Sequence, residues 1–175
     1  MNEIREIVTK AVVGKGKKLI RLRNTVTPQN EAFSILGCWV INHEFEAGLN
    51  DSAVELDGTL EINIWYAYDN NTKTDVAKQV LRYHETIRTR QIVKEVNSNG
   101  RDVIVRILQQ PTCTNASIVN NVVEVEIVFE VLSEIIGETK MMVTVFTNIE
   151  TVDAIDDNFE NEINENFIKE RKIVG

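Results

Sequence analysis

The chain has 175 residues and a mass of 19.9 kDa, enough for one domain with a tail and too little for two full domains. Hydrophobic residues at 43% and charged ones at 26% exclude wholesale disorder, while 8 glycines and 2 prolines are too few for a collagen-like or linker protein. With 19 Lys+Arg against 27 Asp+Glu, the net charge of −8 removes the general attraction to phosphate on which nucleic-acid binding rests, so the expected partners are proteins or small solutes.

Taken in chain order, stretches rich in Val, Ile and Thr predict strands over Glu6–Val13 and Lys17–Val26, with Gly14-Lys15-Gly16 as a tight turn between them. Ile35–Phe45 is the next. From Val54 to Tyr68 the even positions Val54, Leu56, Gly58, Leu60, Ile62, Ile64, Tyr66 and Tyr68 alternate with Glu55, Asp57, Glu61 and Asn63. A period of two puts the apolar set on one face of an extended chain. Trp65 breaks the alternation and points to the opposite face. Val76–Ile92 predicts a strand with a helix as the competing reading, because Val76, Val80, Leu81, Tyr83 and Ile87 partly fit helical spacing. Asn97-Ser98-Asn99-Gly100 reads as a looser turn before a strand at Val103–Gln109. Val123, Val125, Ile127, Phe129 and Val131 repeat the two-residue period, and Gly137 is expected to close a hairpin before a strand at Glu138–Phe146.

The fold expected is all-β, an antiparallel β-sandwich or barrel-like domain of about eight or nine strands over residues 1–149. Residues 150–175 form an acidic C-terminal tail, disordered or weakly helical, in which Val152, Ile155, Phe159, Ile163, Phe167 and Ile168 make a sparse apolar stripe. Charge is distributed unevenly. Met1 to Arg23 holds seven basic and two acidic side chains, whereas Glu150 to Gly175 holds eight acidic and three basic ones, so the two ends either attract one another or are solvated separately.

Candidates for chemistry are few. His84-Glu85 lacks the second histidine of a zinc-protease motif, and alternation places His43 beside Trp39, Ile41 and Phe45 as a structural imidazole. Gly14-Lys15-Gly16-Lys17-Lys18 lacks the spacing of a phosphate-binding loop, and Asp153, Asp156, Asp157 and Glu160 lack that of an EF-hand. Cys38 and Cys113 stand far apart and form no CxxC; buried reduced thiols or a cross-link between chains are the two readings. No catalytic set, cofactor or metal site is expected. No apolar run is long enough to span a bilayer, and MNEIREIVTK has acids where a signal peptide is basic, so a cytosolic protein with no membrane insertion is expected. Asn70-Asn71-Thr72 and Asn115-Ala116-Ser117 match the glycosylation sequon by coincidence on that reading. Trp39, Trp65, Tyr66 and Tyr68 are the candidate interaction surface, since Trp and Tyr are favoured where proteins meet.

The strings REIVTKAVVGKGKK (5–18), SILGCWVINHEFEA (34–47), INIWYAYDNNTKT (62–74), ILQQPTC (107–113) and IIGETKMMVTV (135–145) occur in order and resemble the CotE family of outer spore coat morphogenetic proteins over about residues 4–147. That resemblance implies a non-enzymatic scaffold, made in the mother-cell cytoplasm, that self-assembles around the forespore. It further implies docking on basement-layer morphogenetic proteins and recruitment of outer-coat proteins through the acidic tail, with Asp153, Asp156, Asp157, Phe159, Glu160 and Phe167 as candidate recruiting residues. Two features depart from the family pattern: Cys38 stands where a glycine is expected, and Lys169, Arg171 and Lys172 dilute the acidity of the tail. Cys38 and Cys113 are candidates for an intermolecular disulfide in the coat. The reading from another class is a soluble β-sandwich that binds a small ligand or saccharide near Trp39 and Trp65.

Overall fold

The computed structural model describes residues 2–146. The candidate recruiting residues Asp153, Asp156, Asp157, Phe159, Glu160 and Phe167 lie outside them. The chain divides into two units, Glu6–Met142 and one made of Met1–Arg5 with Val143–Gly175. In the second, the described side chains include an Arg5–Glu3 ion pair at 2.8 Å.

The described residues are all-β. Seven strands occur: β1 (Asn2–Val26), β2 (Ser34–Asn50), β3 (Ala53–Tyr68), β4 (Lys73–Arg88), β5 (Arg90–Gln91), β6 (Asn97–Val119) and β7 (Val122–Phe146). They form a four-stranded sheet in the order β5-β1-β7-β6 and a three-stranded sheet in the order β2-β3-β4. The pairings β1–β5, β2–β3, β3–β4 and β6–β7 are antiparallel.

The period of two works as expected. Val54, Leu56, Leu60, Ile62, Ile64 and Tyr66 from β3 are buried, as are Val123, Val125, Ile127, Phe129 and Val131 from β7, and together they make the core. The helical alternative for Val76–Ile92 is overturned by the unbroken ladder from Ala53↔Arg88 to Tyr68↔Lys73. Val80 at 61% exposure lies on the outer face, while Ala77, Tyr83 and Ile87 face inward at strand spacing.

Three expected turns are absent, which is why the strands are fewer and longer than eight or nine. Gly14-Lys15-Gly16 lies inside β1, and these glycines serve close approach rather than reversal: a Cβ on Gly16 would sit 2.4 Å from the Arg88 carbonyl oxygen, where the chain passes from β4 to β5. Gly137 lies inside β7, where an added Cβ would sit 3.0 Å from Val13 Cγ2. Asn97–Gly100 begins β6, with a register shift between Asn97 and Asp102 and Gly100 at φ 72°. The true reversals use asparagine and aspartate, whose short polar side chains tolerate the left-handed conformation. Asp51 (φ 54°) lies between β2 and β3, Asp69, Asn70 and Asn71 (52–63°) between β3 and β4, and Asn120 and Asn121 (46° and 65°) form a two-residue turn between β6 and β7.

The cationic side of β1 has partners. Lys15 and Lys17 pair with Glu134 (3.3 Å) and Glu130 (2.9 Å), and Arg21 and Arg23 with Glu126 (3.3 and 3.2 Å), all from β7. Lys18 reaches Glu85 of β4 at 2.6 Å and Lys10 reaches Asp102 of β6 at 2.9 Å. The Arg23 guanidinium, with Thr114 and Arg21, holds the Glu126 carboxyl below the usual carboxylate range.

Candidate functional site

The three-stranded sheet has an inner face on the core and an outer face in water, and the four candidate aromatics divide between them. In register, Gly37, Trp65 and Val76 share the outer face, as do Trp39, Asn63 and Lys78, and Ile41, Glu61 and Val80. Trp39 (41%), Trp65 (44%) and Val80 (61%) are well exposed. Gly37 has a specific use here: the Trp39 ring edge lies 3.5 Å from where a Cβ of Gly37 would be, so the absent side chain lets the indole lie along its own strand. Beneath this face Asn63 is buried at 2% exposure, and its amide donates to Glu61 Oε1 at 3.0 Å while Asn42 donates to Glu61 Oε2 at 3.3 Å. The result is an apolar strip of Trp39, Ile41, Trp65, Val76 and Val80 set on hydrogen-bonded polar groups.

Tyr66 and Tyr68 do not belong to that surface, a correction that follows from their even positions on β3. Tyr66 is fully buried; its hydroxyl accepts from the Asn30 backbone N–H at 3.2 Å and donates to Asp75 Oδ2 at 3.4 Å, tying the segment before β2 to β4. Tyr68 is half-buried on the same inner face, with its ring centroid 6.1 Å from that of Tyr66.

The placement of His43 with Trp39 and Ile41 is also corrected. Asn42 takes φ 52° and the register slips between Ile41 and Glu44, so the bulge reverses which side chains face inward. Cys38 and Val40 point inward before it, and His43 and Phe45 after it. His43 joins an aromatic cluster, with centroids 5.5 Å from Phe45, 5.8 Å from Tyr83 and 5.2 Å edge-on to Phe129. Its Nε2 and the Tyr83 hydroxyl are 2.6 Å apart. Burial pushes the imidazole below its ordinary value and, helped by Glu85, pushes the Tyr83 hydroxyl up to about 12. Gly58 makes room for this tyrosine, since a Cβ there would fall 2.4 Å from its ring. His84 is exposed on the outer side, with Nδ1 2.7 Å from Asp57 and Nε2 3.1 Å from Glu55; the hydrogen bond and charge of Asp57 raise its pKa. Both ring nitrogens are engaged by carboxylates, so His84 acts as a charge clamp across β3 and β4.

Cys38 and Cys113 are both half-buried and free. Cys38 is opposite Ile64, and Cys113 opposite Ile127, both wholly buried, so each thiol points into the space between the sheets. They come together where β2, paired with β3 alone, runs beside β6, paired with β7 alone. Cys113 Sγ donates to the Asn115 carbonyl at 3.3 Å, and the two thiols are near enough to perturb one another, a juxtaposition that spacing along the chain does not disclose.

The described residues also contain open clefts. One of about 510 Å³ is lined by Arg23, Asn24, Asn115, Glu124 and Glu126, and one of about 450 Å³ by Phe45, Glu46, Asp57, Gly58, Arg82 and Tyr83. Neither is lined by Trp39 or Trp65, the pair named for a small-ligand site. Among the described residues no cluster of three or more His, Cys, Asp or Glu side chains is arranged to hold a metal ion, and no helix is long and apolar enough to cross a membrane.

Comparison with known proteins gives one family: the model for outer spore coat protein E (CotE) matches residues 3–171. No curated protein and no solved structure matches the chain.

Proposed function

We propose, from the premise that the chain belongs to the outer spore coat protein E family and is therefore a protein of the spore coat, that it is a morphogenetic scaffold which self-assembles around the forespore and directs deposition of the outer coat. The observation that carries the self-assembly reading is the outer face of β2-β3-β4. Two tryptophans and the aliphatics Ile41, Val76 and Val80 stand in water on one face of the sheet, beside an unbroken β3–β4 ladder, the kind of surface that marks an interface rather than a free boundary. A second copy is its natural occupant, because many weak contacts repeated across a layer give avidity without a single tight site. Partners on this reading are basement-layer morphogenetic proteins and outer-coat proteins, met through the acidic tail at 150–175, and the route runs from the mother-cell cytoplasm to the forespore surface. The role is structural rather than catalytic.

Light scattering after size-exclusion chromatography tests it. The wild-type chain is expected to form large, concentration-dependent assemblies, and the Trp39→Ser/Trp65→Ser chain to remain small with an unchanged circular dichroism spectrum. In a sporulating host, a fluorescent fusion of the wild type is expected to form a shell around the forespore. A strictly monomeric wild-type chain, or a fusion spread through the mother cell, would refute the reading.

A further inference from the structure

We propose that Cys38 and Cys113 form an intrachain disulfide that staples β2 to β6 across the seam between the two sheets. The geometry is the argument. The two strands are neighbours that share no backbone ladder, both thiols face the interior opposite wholly buried isoleucines, and the two thiols lie within interaction range of one another. A thiol pair so placed meets its own partner before it can meet the cysteine of another chain, which would have to reach a half-buried sulfur under β2 and β6. The intrachain bond thus displaces the cross-link between chains as the chemistry of these residues, and it holds whether or not the chain is a scaffold.

The two thiols are unequal. Interaction with Cys38, helped by the Asn115 backbone, holds Cys113 below the ordinary thiol range, whereas interaction with Cys113 together with burial pushes Cys38 far up. Cys113 is therefore the attacking thiolate. With a low-molecular-weight disulfide RSSR as oxidant, the Cys113 thiolate, its proton already given to water, attacks one sulfur of RSSR; a Cys113–SR bond forms, the S–S bond of RSSR breaks, and RS⁻ leaves and takes a proton from water. Cys38 then loses its proton and attacks the Cys113 sulfur, releasing the second thiol. Two protein thiols are oxidised, one disulfide is reduced to two RSH, and no other reactant is needed.

The test treats the full-length chain with oxidised glutathione at low protein concentration, quenches with iodoacetamide and reads intact mass and peptides. The expected product is a single chain lighter by a pair of hydrogens, with a Cys38–Cys113 peptide whose yield does not change with protein concentration. In Cys38→Ser the second step is blocked, so a glutathione adduct is expected to persist on Cys113, while Cys113→Ser is expected to be modified at least about tenfold more slowly. Repeating the reaction in the Trp39→Ser/Trp65→Ser chain separates this result from assembly, since the intrachain bond should form there equally well. Disulfide-linked dimers as the main product, or an adduct on wild-type Cys113 as lasting as that on Cys38→Ser, would overturn the proposal.

Discussion

Replacing Gly16 by alanine tests why glycine stands in the middle of a strand. An added Cβ would lie 2.4 Å from the Arg88 carbonyl oxygen, 3.1 Å from the Arg88 carbonyl carbon and 3.2 Å from Ile87 Cγ2. The nearest atom is backbone, and the next residues in the chain are pinned by Lys15↔Arg90 and Gly14↔Gln91, so neither side yields by a rotamer change. Overpacking of this kind costs about 3 kcal/mol, and the lower entropy of an unfolded alanine offsets roughly 0.5–1 of it. The net loss is about 2 kcal/mol. Gly48→Ala is the control, because nothing lies within 4 Å of its Cβ position and only the favourable part remains. Urea unfolding of the monomeric Trp39→Ser/Trp65→Ser chain reads both: with a slope near 2 kcal/mol/M, the Gly16→Ala midpoint should fall by about 1 M while that of Gly48→Ala stays or rises slightly. Equal midpoints for the two variants would refute the close-approach account of β1.

Three further outcomes follow from the same geometry. In a proton NMR titration the two histidines should separate, His43 titrating below 6.5 and His84 above it. The folded chain resists protonating His43, so stability from that residue falls as pH drops below the unfolded value of 6.5; the His84 contribution is full below 6.5 and is lost as pH rises through its higher folded value. A single shared midpoint would contradict both assignments. Tyr83→Phe removes the hydroxyl from His43 and should cost about 1 kcal/mol, with the midpoint of urea unfolding shifted and the slope unchanged. If the intrachain bond forms, the oxidised chain should unfold at higher urea by an amount equivalent to at most about 4–5 kcal/mol for a loop of this length, and dithiothreitol should restore the reduced midpoint.

How much could be read without coordinates depended on which signal carried it. Alternation in Val54–Tyr68 and Val123–Val131 reports burial directly, because side chains of an extended chain must take turns facing the core; it puts Trp65 on the outer face and Tyr66 on the inner one, against the grouping of Tyr66 and Tyr68 with the tryptophans as one surface. Glycine is a weaker signal, since the same residue serves a turn and a close approach. At Gly16 and Gly137 the second use applies, and only the positions of Arg88 and Val13 disclose it. Of the asparagine turns, Asn70-Asn71 shows in the sequence only as a coincidental sequon, and Asn120-Asn121 falls in no motif. Bulges are the hardest: the left-handed Asn42 leaves no mark in the hydrophobic pattern, yet it moved His43 from the Trp39 face to the aromatic cluster. The meeting of Cys38 and Cys113 depends on strand order, which alternation does not encode.

Of the four edge strands, β6 and β4 are unlike. Along β6, Pro111 lacks an N–H and the register slips between Ile107 and Gln109, Gln109 and Thr112, and Cys113 and Asn115, so an approaching strand would fall out of step within a few residues. Along β4 the ladder to β3 keeps one register for its whole length, and among its carbonyls Thr86 is already taken by Lys18. An added strand would therefore lose its main-chain register along β6, whereas the single register of β4 would carry it from end to end.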